Sequence, residues 1–277
     1  MRNSQTDLAT HMSMELRTAI DAAKNAGNVL LKHFENFSFI ESTNKESWDL
    51  LTQADIEAEK LVLNEIRSSF PDHSILAEES STESDDVKNA RDLWIVDPLD
   101  GTNNFAHGIP HFAVSIAYYK NQKPELGVIL SPFQNDLFVA VSGKGAWHNG
   151  AKVNVNSHNQ LDQTMIGVGF YYDRGEMMQA TLSSIEKLFE KKIHGIRRMG
   201  TAALDLVQVG LGRFGAYFEY TLSPWDFAAG RLFVTEAGGK VTDCEGNDLP
   251  LTKSAVLATN GKLHDDVLSI VHRSNEK

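Results

Sequence analysis

The stretch Leu93–Phe105, LWIVDPLDGTNNF, decides how the rest of the chain is read. An apolar run, Leu93–Val96, carries the backbone as a strand to Asp97. Two carboxylates, a proline and a glycine then fall within the six residues Asp97–Thr102. Pro98 fixes one φ and donates no backbone hydrogen bond. Gly101 permits a turn or a close backbone approach. Such a strand exit aims Asp97 and Asp100 at one point and leaves the Leu99 carbonyl facing it. Oxygen donors of this kind suit a hard cation such as Mg²⁺ better than zinc. A short helix opening at Gly101-Thr102 would turn free N–H groups toward an anion, most simply a phosphate. Taken alone, the same residues also read as a turn with two solvated aspartates.

Outward from this segment, apolar spacing predicts helices over Met14–Phe34 and from Gln53 to about Phe70, where Pro71 stops the second. Strands are expected at Ser74–Glu78, Leu93–Val96, Ala113–Tyr119, Leu126–Leu130 and Leu137–Val141, with a hairpin link at Lys120–Glu125. Past Gly143, strands at Thr164–Phe170, Gly195–Met199, Phe214–Tyr220 and Ser254–Thr259 alternate with helices. The helices are placed near Met177–Lys192, Ala202–Leu211, Pro224–Ala237 and Leu263–Arg273. Residues 14–145 therefore read as an α+β half and 146–277 as an α/β half of one integrated domain, the boundary being a change of layer without a tether. Residues 1–13 are polar and read as a loose extension without the apolar centre of a signal peptide.

The 277 residues include 42% apolar and 23% charged side chains, values of a globular chain that exclude disordered or fibrous classes. A net charge of −11 disfavours nucleic-acid and anionic-membrane binding. No apolar run approaches the roughly 20 residues of a membrane span. The single cysteine, Cys244, excludes an intrachain disulfide and a cysteine-built zinc site, which fits a reducing, cytoplasmic setting.

Other acids gather in short motifs. Glu78-Glu79 leave the strand end SILA, placed for a site or simply for an acidic loop. Asp226 opens the segment WDFAAGRLFVTEAGG, where an acid also favours the helix dipole. Thr52-x-x-Asp55 fits a helix-capping box. His107 and His111 have a zinc-like spacing that Pro110 spoils, so they read as structural. Lys187, Lys191, Lys192, Arg197 and Arg198 form a basic cluster, read as a solvated helix end with a substrate mouth or subunit contact as alternatives. Cys244 lies in a polar turn and has no nearby base to make it a nucleophile. The fingerprints of P-loop, dinucleotide and serine-hydrolase sites are missing from the sequence.

The blocks DLLTQAD (Asp49–Asp55), AEES (Ala77–Ser80), WIVDPLDGTNNF (Trp94–Phe105), GIRRMGTAA (Gly195–Ala203) and WDFAAGRLFVTEAGG (Trp225–Gly239) stand in one order. Together they resemble the inositol monophosphatase family of the lithium-sensitive, magnesium-dependent phosphatases, its bacterial branch most closely, from about Met14 to Arg273. The resemblance implies a sugar-phosphatase-like sandwich of alternating helix and sheet layers, αβαβα, acting as a homodimer. It implies Mg²⁺ sites built by Glu78, Asp97 and the Leu99 carbonyl, and by Asp97, Asp100 and Asp226. Thr102 and Glu78 would orient the attacking water, with Asp55 bonded to Thr102. Gly101 and Thr102 would bind the phosphate, Glu219 the substrate hydroxyls, and Gly200, Thr201 and Ala202 would line that pocket; Lys45 would sit near the metal-binding loop.

The implied activity is Mg²⁺-dependent hydrolysis of a small phosphate monoester, myo-inositol 1-phosphate first, by metal-activated water. Fructose 1,6-bisphosphate, a 3′-phosphoadenosine nucleotide and histidinol phosphate are the alternatives within the same metal core. Acidic Glu219 favours a neutral polyol over a second phosphate, which would call for Arg or Lys. A regulatory or interaction protein on the same scaffold is the non-enzymatic alternative, set against the presence of every expected ligand. Electrostatics agrees with a cation: four acids sharing a pocket without one would repel and protonate.

Overall fold

The computed structural model describes residues 8–35, 43–46, 49–51, 53–80 and 89–272. Thr52, residues 1–7 and the expected helix end Arg273 lie outside them; for Lys45 only the backbone, in the first strand, is described.

Helices α1 (Met14–Glu35) and α2 (Gln53–Ser69) flank a two-stranded ribbon, β1 (Thr43–Glu46) and β2 (Asp49–Leu51). Next come β3 (Ser74–Ala77), β4 (Asp92–Asp100), the one-turn α3 (Thr102–Ala106), β5 (Ala113–Lys120), β6 (Lys123–Ser131), β7 (Asp136–Val141), β8 (Gly145–His148) and β9 (Ala151–Val153). These strands form one sheet in sequence order from β3 to β9, antiparallel except for the β3–β4 pair. The second sheet has the order β11-β10-β12-β14-β13, with β10 (Met165–Val168), β11 (Gly195–Arg197), β12 (Ala216–Leu222), β13 (Lys240–Thr242) and β14 (Ser254–Thr259). Its helices are α4 (Glu176–Glu190), α5 (Ala202–Gly210), α6 (Pro224–Glu236) and α7 (His264–Val271).

The layers alternate as expected. Helix α1 turns Leu16, Ala19, Ile20, Ala23, Ala26 and Leu30 inward at helical spacing and, with α2, covers one face of the large sheet. Burying each large aliphatic chain there contributes about 1.5–3 kcal/mol. Helices α5 and α6 lie between the two sheets and contact both. Helices α4 and α7 close the far side of the small sheet. Each gap between layers holds its own apolar cluster.

Several details depart from the sequence reading. Strand β4 does not end at Val96; it continues to Asp100 through a bulge, with Asp97 opposite Ser115 and Asp100 opposite Ala113. Pro98, unable to donate to the ladder, falls in that bulge. Strand β12 runs two residues later than expected, and β8, β9 and β13 are too short to show a period. The hairpin before β6 is tighter, turning at Asn121 and Gln122 with φ of 50° and 63°. Within the stretch expected to be loose, Leu8 joins the apolar core at 8% exposure and the His11 ring lies 5.9 Å from that of Trp147. No helix among the described residues is long and apolar enough to cross a membrane.

Candidate active site

A cavity of about 620 Å³ opens where β4, β12 and the N-termini of α5 and α6 meet. Its wall includes Glu78, Asp97, Leu99, Asp100, Thr102 and Asp226. Asp97 and Asp100 reach it from the β4 bulge. Asp226 comes from the first turn of α6, and its Oδ2 accepts the Ser223 N–H at 2.6 Å. That bond is half of a capping box, so the acid serves both its helix and the cavity. Glu78 follows β3, and the next residue is fixed by the Glu79 N–H donating to buried Glu59 Oε2 at 2.8 Å.

These acids feel one another. Burial pushes Asp97 well above the usual carboxylate range, and the charges of Glu78, Asp100, Asp226 and Asp55 push the same way. Burial raises Asp226 too, with Asp100 adding to it. Asp100 is raised to about 6 by burial, held back by hydrogen bonds from Ala203, Thr201 and Ala202. Among the described residues no three His, Cys, Asp or Glu side chains are grouped closely enough to hold a metal as they stand. The acids face a shared cavity without closing into a coordination shell. Their donor chemistry, buried and half-buried carboxylates with a backbone carbonyl, nevertheless fits a hard divalent cation, which would relieve the repulsion.

Gly101 has φ +98°, and a Cβ on it would lie 2.9 Å from Thr201 Cγ2 and 3.1 Å from the His111 carbonyl oxygen. Glycine is therefore required, and its bare Cα lets Thr201 and the His111–Phe112 backbone come close. Thr102 Oγ1 donates to the Leu99 carbonyl at 3.1 Å, so these two expected site groups satisfy one another here. Asp55, 1% exposed in the first turn of α2, stands near enough to act on Asp97.

Elsewhere in the cavity wall, Glu219 of β12 accepts the Tyr217 hydroxyl at 2.8 Å. Burial raises Glu219 to about 7, opposed by that hydrogen bond. A Cβ at Gly169 would fall on the Glu219 carboxylate, so this glycine makes room for it. Gly200, Thr201 and Ala202 line the same wall.

The structure adds residues that the sequence reading did not place. Arg198, read in the basic cluster as part of a solvated helix end with a substrate mouth as an alternative, lines the cavity, as do Asp205, Tyr217 and Lys253. Asp205 offered one signal: an acid inside the otherwise apolar run AALDLV. The loop after β10 bends over the opening, where Tyr172 accepts a hydrogen bond from Asn103 Nδ2 at 3.2 Å.

A family model described as the inositol monophosphatase family matches residues 12–276. A Haemophilus influenzae protein named Nus factor SuhB is 39% identical over 258 residues, covering 93% of this chain and 96% of that one. Among solved structures, the extragenic suppressor protein suhB of Bartonella henselae aligns with a TM-score of 0.87 at 36% identity, over 95% of this chain and 100% of that one. An IMPase of Thermotoga maritima aligns at 0.83 and 35%, over 94% and 97%.

Proposed function

Because the chain belongs to the inositol monophosphatase family, we propose that it hydrolyses a small phosphate monoester with Mg²⁺, myo-inositol 1-phosphate being the first candidate. The observation that carries this reading is buried Asp97 sharing one cavity with Glu78, Asp100 and Asp226. Glu78, Asp97, the Leu99 carbonyl, Asp100 and Asp226 would hold the ions. Bound there, Mg²⁺ would supply Lewis-acid polarisation of the phosphoryl group and stabilise the leaving alkoxide.

The chain's own groups do the rest. Gly101 and Thr102 present backbone N–H groups to phosphoryl oxygens. Thr102 and Glu78 orient a water in line with the ester bond, with Asp55 supporting Thr102. As water oxygen bonds to phosphorus, the ester P–O bond breaks and the departing alkoxide takes up a proton. Glu219 accepts a hydroxyl of the polyol, and Thr201 and Ala202 bound that pocket. Removal of water from these buried carboxylates strengthens each such contact.

A phosphate-release screen over inositol phosphates, fructose 1,6-bisphosphate, nucleotide monophosphates and histidinol phosphate, with and without Mg²⁺, tests the proposal. Mg²⁺-dependent release led by inositol phosphates is expected, with inhibition by lithium; no release from any substrate sinks it. The homodimer is part of the same proposal, read from the mass of the species in solution. The name Nus factor carried by a 39%-identical relative favours a second role, in transcription. Cells lacking this protein would then be restored by a variant without phosphatase activity, and failure of that rescue argues against it.

A further inference from the structure

Helix α5 buries an acid that the proposed chemistry does not use. Asp205 sits in its first turn, is 1% exposed and lines the cavity. Its Oδ1 is buried without a hydrogen-bond partner, a costly state for an acceptor able to carry charge. Burial, with the charges of Asp100 and Glu219, pushes this carboxyl well above the usual carboxylate range; the charge of Arg198 and the Gly200 N–H oppose them, so a guanidinium closing on it favours the ionised form.

Arg198 is the shared element. Its positive charge acts on Asp100, Asp205 and Glu219, three acids from three different elements. The backbone shows where its guanidinium lies. Gly200 is left-handed at φ +96°, and a Cβ there would come within 2.5 Å of Arg198 Nη1. The guanidinium is thus folded over the residue whose N–H meets Asp205. Neighbouring Arg197 instead turns its Nη1 to the Ile196 carbonyl at 2.9 Å.

We propose that Asp205 is a positioning residue for Arg198: with substrate in the cavity, the guanidinium closes onto the unpartnered Oδ1 and is held with its outer N–H groups toward the substrate oxygens. A planar fork of donors can engage a carboxylate on one side and a second acceptor on the other. Asp205 and Arg198 would then set affinity on the substrate side. The inference rests on the phosphatase reading and deepens it.

Asp205→Asn tests it. The amide keeps the shape and the acceptor for the Gly200 N–H but loses the charge that holds an arginine. The expected result is a KM for myo-inositol 1-phosphate raised about tenfold, kcat changed less than about threefold, and Arg198→Ala giving a similar split. The double variant should be little worse than either single one, because both remove one interaction. A wild-type KM in Asp205→Asn, or effects that simply add, would overturn the proposal and leave Asp205 as a brace for Gly200. If the unmodified protein releases no phosphate, the phosphatase reading fails by itself. The same cycle is then measured by calorimetry of myo-inositol 1-phosphate binding in Mg²⁺ buffer. Coupled losses of affinity support the positioning role; independent losses, or no binding at all, end it.

Discussion

Asp100 Oδ2 accepts the backbone N–H of Ala203 at 2.8 Å across 103 positions of sequence. One partner sits at the end of β4 in the large sheet, the other in the first turn of the helix between the sheets. A carboxylate at a helix N-terminus gains about 0.3–1 kcal/mol from the dipole, more when partly buried. This contact also sets the spacing between the acids of the β4 bulge and the Gly200–Ala202 wall.

Thr201 caps that helix, its Oγ1 accepting the Leu204 N–H at 3.0 Å. Thr201→Ala should cost about 1 kcal/mol of stability and raise the Mg²⁺ concentration needed for half-maximal activity. Thr201→Ser should restore both. Denaturant titration and Mg²⁺ titration of phosphate release check this; a serine variant as impaired as alanine would shift the cause to the methyl packed against Gly101.

Asp97→Asn should abolish Mg²⁺-dependent turnover while the fold survives. Because burial and neighbouring acids favour protonated Asp97, the metal-free wild type loses stability at this residue as pH rises above about 4, the ordinary unfolded value. At pH 7 without metal the variant should therefore melt higher, each 1 kcal/mol gained giving about 2–4 °C. Thermal melts with and without Mg²⁺ decide; a lower metal-free melting point would mean the charge is not under strain.

Gly169→Ala places a methyl where the Glu219 carboxylate now sits. The KM for polyol phosphates should rise about tenfold, the Mg²⁺ requirement staying unmoved. Equal damage to both constants would remove Glu219 from substrate recognition.

His264 is 1% exposed, and burial lowers it to about 4. The hydrogen bonds of the ring fit the neutral form that burial favours. The Gly261 N–H donates to Thr259 Oγ1, whose own proton points to His264 Nδ1. His264 Nε2–H donates to Thr242 Oγ1, whose proton goes to the Asp243 carbonyl. A second ring proton would make Thr259 turn its own hydroxyl proton away from Nδ1. Stability should thus fall as pH drops from about 6.5 toward 4, by up to ~3 kcal/mol from this group. His264→Gln should flatten that part of the pH–stability curve, and an unchanged slope would refute the assignment.

Which features the sequence announces, and which it hides, follows from physics. Pro98, Gly101 and the flanking aspartates each have a narrow backbone or electrostatic meaning, so Leu93–Phe105 signals directly that Asp97 and Asp100 face one cavity. The long amphipathic α1 does the same for its layer. The β4 bulge is hidden, because a strand that continues through Pro98 needs its partner β5 to be seen. Asp205 and Arg198 are hidden for a related reason. A charged residue on a helix or in a basic run reads as solvated until a second sheet covers it. Leu8, one apolar residue in a polar stretch, carries no period at all.

Asp226 holds the start of its own helix closed by taking the Ser223 N–H. An ancestor that gave up chemistry would still be penalised for discarding this acid, because α6 would fray where it enters the middle of the molecule. Its persistence in any descendant is therefore poor testimony that the descendant still turns over substrate.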